Sequence, residues 1–423
     1  MITQSQDNNN KDFDQKSALA QVSGLAKHDQ LPRNFVGKTG KGQATVTPPA
    51  KISIKNSLNE ILVFARLENV SDVHLCVDHP ILFRRFGTLY FPNPEKISAE
   101  RIQAMIEEAL DAERLAEFKK RKDLEFVYII EGAGRFRVTL MHQRLGWDFA
   151  ARLIPQTIAT FENSGMTKAC RDLTKWSQGM VLVTGPVSCG KTSTLAILVE
   201  MINQTRFAHI ITMEDPIEIV YEPKKCQITQ REMKLHSLSQ ANALRAALRE
   251  DPDIIVVSEL RDLDTIQLAV SAAETGHLVL GTMNTDNAAQ TISRLIDSFP
   301  ADEQAIIRKM ISESLRGVIC QQLIPRIDNS GVEVAYEILI VNSAVANMIR
   351  EGKQHQLGNI ITTGRSSGMV LFDHSLKELV KKGLISTEEA CSRAINPVEF
   401  KQYLSMASAS GSSEWESIGE NSG

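Results

Sequence analysis

Gly185, Gly190, Lys191 and Thr192 stand at the spacing G-x-x-x-x-G-K-[ST] in the stretch Gly185-Pro186-Val187-Ser188-Cys189-Gly190-Lys191-Thr192, with Ser193 next. A loop of this kind surrounds a phosphate with its own backbone N–H groups and with the positive end of the helix that follows. The Lys191 ammonium would reach the β- and γ-phosphates of a nucleoside triphosphate, and the Thr192 hydroxyl would ligate magnesium. ATP and Mg²⁺ are therefore the expected ligands, and Gly185 to Ser193 the expected binding loop. The motif needs a buried strand before it and a helix after it. Met180-Val-Leu-Val-Thr184 supplies the first and the run from Ser193 to Met201 the second.

Three further stretches bring chemistry to the ends of apolar runs. In Ile210-Ile-Thr-Met-Glu214-Asp215-Pro216-Ile-Glu218 a carboxylate pair follows a strand that Pro216 stops. Such carboxylates hold Mg²⁺, directly or through water, or orient an attacking water; a plain charged loop has the same composition. Asp253-Ile-Ile-Val-Val-Ser258-Glu259 has the form of a Walker-B strand, in which Glu259 joins the magnesium shell. Glu274-Thr-Gly-His277 leads into Leu278-Val-Leu-Gly-Thr282. His277 there can sense or neutralise a γ-phosphate, or serve as a structural hydrogen-bonding group.

The elements that must position these groups fall into two blocks. Ser57-Leu-Asn-Glu60 has capping-box spacing before an amphipathic helix, and strand-like pieces follow over Asp72–Val77 and Ile81–Phe86. A second helix begins near Ser98, the basic run Lys119 to Lys122 reads as a helix end or turn, and strands follow over Leu124–Ile130, Arg135–Met141 and Asp148–Ile154. Residues 51–154 thus form a compact α+β domain. A linker spans 155–166. In 167–404 the expected strands Val181–Thr184, His209–Thr212, Ile254–Val257 and Leu278–Gly281 alternate with helices near 191–203, 238–249, 263–275 and 287–297. That is a mostly parallel α/β sheet, with ligands at the carboxyl ends of its strands. Beyond Ala301 the chain reads as largely helical, with strands around 319–325 and 332–341. The polar stretches 1–50 and 405–423 read as disordered tails.

Composition bounds the rest. In 423 residues the net charge is −4, so no basic field points to nucleic acid. Six cysteines stand singly, without a C-x-x-C pair, as expected for reduced thiols in a cytoplasm. The N-terminal residues lack a signal-peptide apolar region, and no apolar run reaches the length of a membrane span, so membrane contact is expected only through partners.

The four motifs, in this order, resemble the secretion-ATPase superfamily, and within it the type IV pilus retraction ATPases, the PilT-like family. Ser71-Asp-Val-His-Leu75, Gly134-Arg-Phe-Arg-Val138, Gln230-Arg-Glu232, Ala247-Leu-Arg-Glu-Asp-Pro-Asp253, Ala272-Ala-Glu-Thr-Gly-His277, Ser312-Glu-Ser-Leu-Arg316 and Ala344-Val-Ala-Asn-Met-Ile-Arg-Glu351 extend the resemblance over about 56 to 403. It implies a PAS-like N-terminal domain and a RecA-like P-loop ATPase domain with a helical C-terminal region, assembled as a homohexamer with nucleotide between the two domains. It implies Arg137 and Arg152 as the N-terminal arginines that approach the phosphates, Glu214 as the residue that positions the lytic water, and Glu259 as the Walker-B acid. It also implies an inner-membrane pilus platform protein, and other pilus ATPases, as partners at the cytoplasmic face of that membrane.

Three positions depart from the family pattern: Val187-Ser188-Cys189 inside the loop, Ser258 in place of glycine, and Asn284 where a second histidine stands. An ATP-driven retraction motor is the expected function. The departures keep open an accessory ring subunit that binds nucleotide and hydrolyses it weakly. A pilus-extension or type II secretion ATPase is a third reading, although this chain has no paired cysteines for the zinc insertion of those relatives.

Overall fold

Ser57 begins the first helix, Leu58–Leu67. Its hydroxyl accepts the Glu60 N–H while the Glu60 carboxylate accepts the Ser57 N–H, the reciprocal bonds the sequence predicts. The structure is a computed structural model that describes residues 51–398 and 400–401, together with the backbone of 35–39 and 42–46. The helix packs with a second, Ala99–Ala109, on an antiparallel sheet. In chain order its strands are β1 (Phe35–Thr39), β2 (Gly42–Val46), β3 (Asp72–Leu75), β4 (Leu82–Arg85), β5 (Thr88–Tyr90), β6 (Asp123–Glu131), β7 (Gly134–Gln143) and β8 (Gly146–Leu153). In space they run β2-β1-β6-β7-β8-β3-β4-β5. Ile61, Leu62, Phe83, Ile106, Phe136 and Phe149 fill the space between helices and sheet.

Two features of this unit depart from the expectation. Part of the stretch read as a tail is ordered: β1 and β2 pair as a hairpin, and Val36 and Gly37 of β1 continue the sheet at Glu131 and Ile130 of β6. The exposed backbone groups of β6 supply the partners, a use of a sheet edge that overall composition does not reveal. The rest of 1–50, and 405–423, lie outside the described residues. A third helix, Ala112–Arg121, carries the basic run in its last turn, and Phe118 is its one buried residue, edge-on to Trp147. The helix is mostly charged, so an apolar pattern marks it only weakly.

Residues 155–166 do not hang free. The Tyr336 hydroxyl donates to the Ser164 carbonyl at 2.8 Å, and Met166 is buried.

The second sheet contains β9 (Gly179–Thr184), β10 (His209–Glu214), β11 (Gln227–Glu232), β12 (Ile254–Val257), β13 (Leu278–Met283), β14 (Leu315–Pro325) and β15 (Val332–Ile340), in the order β11-β10-β12-β13-β9-β14-β15. All neighbours are parallel except β14 and β15. Every residue of β9 is buried. Met180 and Leu182 face one core and Val181 and Val183 the other, so both faces are covered by helices. β11, with its polar Gln-Ile-Thr-Gln-Arg-Glu sequence, is an edge strand the apolar pattern misses. The helices Phe372–Lys381 and Thr387–Arg393 close over Ile324 and Ala335 of the β14–β15 pair. No described helix is long and apolar enough to cross a membrane.

Glu337 of β15 is buried where two helices begin. Its Oε1 accepts the Ala288 N–H at 2.8 Å, and the Phe372 N–H also donates to the carboxyl. Burial pushes the carboxyl from 4.5 up to about 7. The native chain therefore holds this proton more tightly than the unfolded chain. The stabilising contribution is complete below pH 4.5 and is lost as pH rises toward about 7. Glu337→Gln keeps the acceptor and cannot ionise. It should exceed the parent in stability at pH 8 by on the order of 3 kcal/mol, with the difference vanishing near pH 4.5. Thermal unfolding across that range checks this; parallel pH profiles for the two proteins would refute it.

Candidate functional site

Parallel pairing brings the carboxyl ends of β9, β10, β12 and β13 to one edge of the sheet, with Thr184 opposite Met283 and Met213 opposite Val257. The loop Gly185–Gly190 leaves β9 at this edge and enters the helix Lys191–Thr205. Gly185 has φ +141°, and a Cβ there would lie 2.2 Å from the Gln321 carbonyl oxygen and 2.6 Å from Cys189 Sγ. Gly190 has φ +88°. Ser188, at φ +66°, is a side-chain-bearing residue in the same left-handed region. Of the three unusual residues in the loop, Val187 stands out in solvent and Cys189 is buried, which pushes its thiol up.

Lys191 Nζ donates to the carbonyls of Gly185 at 2.8 Å and Pro186 at 2.7 Å. Burial lowers its pKa, opposed by Cys189 and Glu259. Thr192 is exposed and Ser193 half-buried. Two strands over from β9, Glu259 follows β12 with its side chain partly exposed. It accepts from Asn284 Nδ2 at 2.6 Å and from the Arg261 guanidinium at 2.8 and 3.2 Å. Asn284 thus places a neutral donor directly on the Glu259 carboxylate. Ser258 Oγ accepts from Gln240 Nε2.

Glu214 ends β10 on the same edge, yet three strand spacings from β9, about 14 Å across the sheet. It is buried, accepts from Thr212 Oγ1 at 2.6 Å and Gln230 Nε2 at 2.9 Å, and burial raises its pKa. Asp215 beside it turns out to an ion pair with Lys234.

His277 is a correction. It precedes β13, its carbonyl accepts the Gly179 N–H at the start of β9, and its Nδ1 lies 3.1 Å from the Ala272 carbonyl. Within one chain it therefore sits at the amino edge of the sheet, about 20 Å from the phosphate loop, the length of a six-residue strand. The ring closes a helix end here, away from the phosphate loop of its own chain.

Arg137 and Arg152 are direct cross-strand partners on β7 and β8. Both are engaged by carboxylates. Arg137 pairs with Glu125 at 2.5 Å and with Glu218, from the loop after β10, at 2.9 Å; Arg152 pairs with Asp72 at 2.8 Å. Arg135, two residues from Arg137 on the same face, donates to the Ile217 and Glu218 carbonyls. These bonds join the two sheets.

Two groups at this site escape motif reading. Gln321 of β14 donates from Nε2 to the Cys189 carbonyl and accepts at Oε1 from Thr194 Oγ1. A glutamine inside the apolar run Val318-Ile-Cys-Gln321 is the signal that could have marked it. Glu218 lies in the loop after Pro216, where a charged residue carries no distinguishing pattern.

A family profile described as "Type II/IV secretion system protein" matches residues 49–367. The type IV pilus retraction ATPase PilT of Pseudomonas aeruginosa is 43% identical over 343 residues, 81% of this chain and 99% of that one. A twitching motility protein of Neisseria gonorrhoeae is 43% identical over 315 residues, 74% of this chain and 84% of its own. The crystal structure of a pilus retraction motor PilT with bound ADP superimposes with a TM-score of 0.72 at 37% identity, covering 82% of this chain and 100% of that one.

The fit around Gly185 is testable. Gly185→Ala forces a methyl group into a backbone carbonyl and should destabilise the chain by about 1–3 kcal/mol. It should also abolish the rise in melting temperature on adding ATP. Thermal unfolding with and without ATP checks both; an undiminished ATP-dependent rise would contradict the geometry.

Proposed function

The chain belongs to the family of type II/IV secretion system proteins, and from that premise we propose that it is a magnesium-dependent ATPase whose turnover drives retraction of a type IV pilus. The observation that carries the reading is the convergence of the phosphate loop, Lys191, exposed Thr192 and the Glu259–Asn284 pair at one carboxyl edge of a parallel sheet. Alignment with nearly the full length of a retraction ATPase supports the choice of motor. The working unit is a ring of six copies. We place it at the cytoplasmic face of the inner membrane, docked through the platform protein of the pilus machine, with other pilus ATPases as further partners.

In this reading the backbone N–H groups of residues 185–193, Pro186 excepted, bind the phosphates, and Lys191 exchanges the Gly185 and Pro186 carbonyls for phosphate oxygens. Thr192 Oγ1 and Glu259 would hold magnesium, which supplies neutralisation of charge on the phosphate oxygens. Among the described residues no group of three or more His, Cys, Asp or Glu side chains is arranged to hold a metal ion, so the ion's remaining ligands would come from nucleotide and water. Glu214 is the proposed positioner of the lytic water. Burial makes its carboxylate a better proton acceptor, and it must turn from Thr212 and Gln230 to act. Arg137 leaves Glu218, and Arg152 leaves Asp72, to reach the developing charge as the two domains close.

A second reading, an accessory subunit that binds nucleotide and turns it over slowly, is favoured by the uncharged Asn284 on Glu259. Steady-state hydrolysis of Mg-ATP by the purified ring separates the two. The motor reading expects turnover that falls by at least about 100-fold in Lys191→Ala and changes little in Asn284→His. Tight ATP binding with no turnover in the parent, restored by Asn284→His, would establish the accessory subunit instead.

A further inference from the structure

We propose that Gln321 is a positioning residue for nucleotide, a clamp that holds the phosphate loop in its anion-binding shape; the proposal rests on the nucleotide-binding reading above. Gln321 lies in β14, beside β9, and is 2% exposed. Both ends of its amide are used. Nε2 donates to the Cys189 carbonyl at 2.7 Å, and Oε1 accepts the Thr194 hydroxyl at 2.7 Å. The amide orientation follows from chemistry, because a carbonyl can only accept and must face the NH₂ side, while a hydroxyl serves either role. One side chain therefore ties the last loop residue before Gly190 to the first turn of the helix after it.

The two glycines of the motif are shaped around the same residue. A Cβ on Gly185 would lie 2.2 Å from the Gln321 carbonyl oxygen, and one on Gly190 would lie 3.1 Å from Gln321 Nε2. The glycines thus answer to β14 as well as to their backbone angles. The clamp matters more because Val187, Ser188 and Cys189 fill the middle of the loop. Cys189 is buried, so its carbonyl has no solvent and would stand unpaired without Gln321. A carbonyl released from the clamp can rotate its peptide plane, and the Gly190 N–H rotates with it, away from the phosphate position.

The experiment uses the full chain and four substitutions. Gln321→Leu removes both bonds at similar volume. Gln321→Glu keeps the acceptor and loses the donor. Thr194→Val removes only the second bond. Gln322→Leu is the control, the next residue of the strand and turned to the other face. The readouts are KM for ATP, kcat at saturating ATP, and melting temperature with and without ADP. Both Gln321 variants should raise KM about tenfold, the effect of one buried hydrogen bond, with kcat within about threefold of the parent. They should also lose most of the ADP-dependent rise in melting temperature. Thr194→Val should raise KM by about threefold, and Gln322→Leu should leave it unchanged. An unchanged KM in both Gln321 variants overturns the proposal, and a fall in nucleotide-free melting temperature beside it assigns Gln321 to core packing alone. If Gln321→Leu fails to fold, Gln321→Glu and Thr194→Val decide by the same split. A parent chain that shows neither turnover nor an ADP-dependent rise sinks the nucleotide reading itself, an outcome distinct from a parent that binds and a clamp that does not matter.

Discussion

A loop that turns its N–H groups toward an anion turns its carbonyls away from it, and each buried carbonyl then needs a donor of its own. The rest of the site follows from how that need is met. Lys191 serves Gly185 and Pro186, and Gln321 serves Cys189. The two donors differ in kind. The lysine is the group that phosphate would draw away, so its bonds hold the loop until they are exchanged. The glutamine sits in the sheet and is held at its other end by Thr194, so in the proposed exchange it stays with the loop. β14 therefore belongs to the binding loop as much as β9 does, although it follows the motif by more than a hundred residues.

The second constraint is the contact between the two sheets. Arg135 and Arg137 share a face of β7 because strand side chains alternate. Together they grip the loop that leaves β10 at Glu214. That grip runs to two main-chain carbonyls and one carboxylate, so it fixes the loop's path as well as its charge. Any rotation of the N-terminal sheet must move this loop or break these bonds, and β10 and Gln230 behind it hold Glu214. The N-terminal unit is thereby linked to a buried acid of the carboxyl edge.

The strand before the motif, the helix after it and the acid of Ser258-Glu259 are legible in sequence because each rests on a local pattern: apolar run, glycine spacing, apolar run again. Strand order is a different kind of fact. β13 lies between β9 and β12, and β12 between β13 and β10, which separates Glu214 from Lys191 across the sheet. No local pattern encodes that insertion. His277 is instructive in the opposite way. It precedes an apolar strand that the sequence marks clearly, and in a parallel sheet the residue before a strand lies at the edge away from ligands. The spacing of seven to Asn284 already placed the two on opposite edges. The edge strand β11 and the helix Ala112–Arg121 are illegible because little of each is buried, and the β1–β2 hairpin because pairing to a distant strand decides it.

The ion pairs that hold Arg137 also show why domain closure on nucleotide is feasible. Glu125 and Arg137 are each about one-third exposed, and Glu218 is 16% exposed, so neither pair is sealed from water. Pairs of this exposure contribute roughly 0–1 kcal/mol each after solvent screening. Releasing Arg137 from both would then cost on the order of 2 kcal/mol at most, well below the roughly 8 kcal/mol of a micromolar ligand. A triphosphate offers the guanidinium more negative charge than Glu218 does, in a cleft that closure dries, where the same charges interact more strongly. The carboxylates left behind can return to water because neither is fully sealed from it. A fully buried pair in the same place would have locked the two sheets together. Partial exposure at Glu125 and Glu218 is what lets one arginine serve first as a latch between sheets and then, in the proposed cycle, as a ligand of the nucleotide.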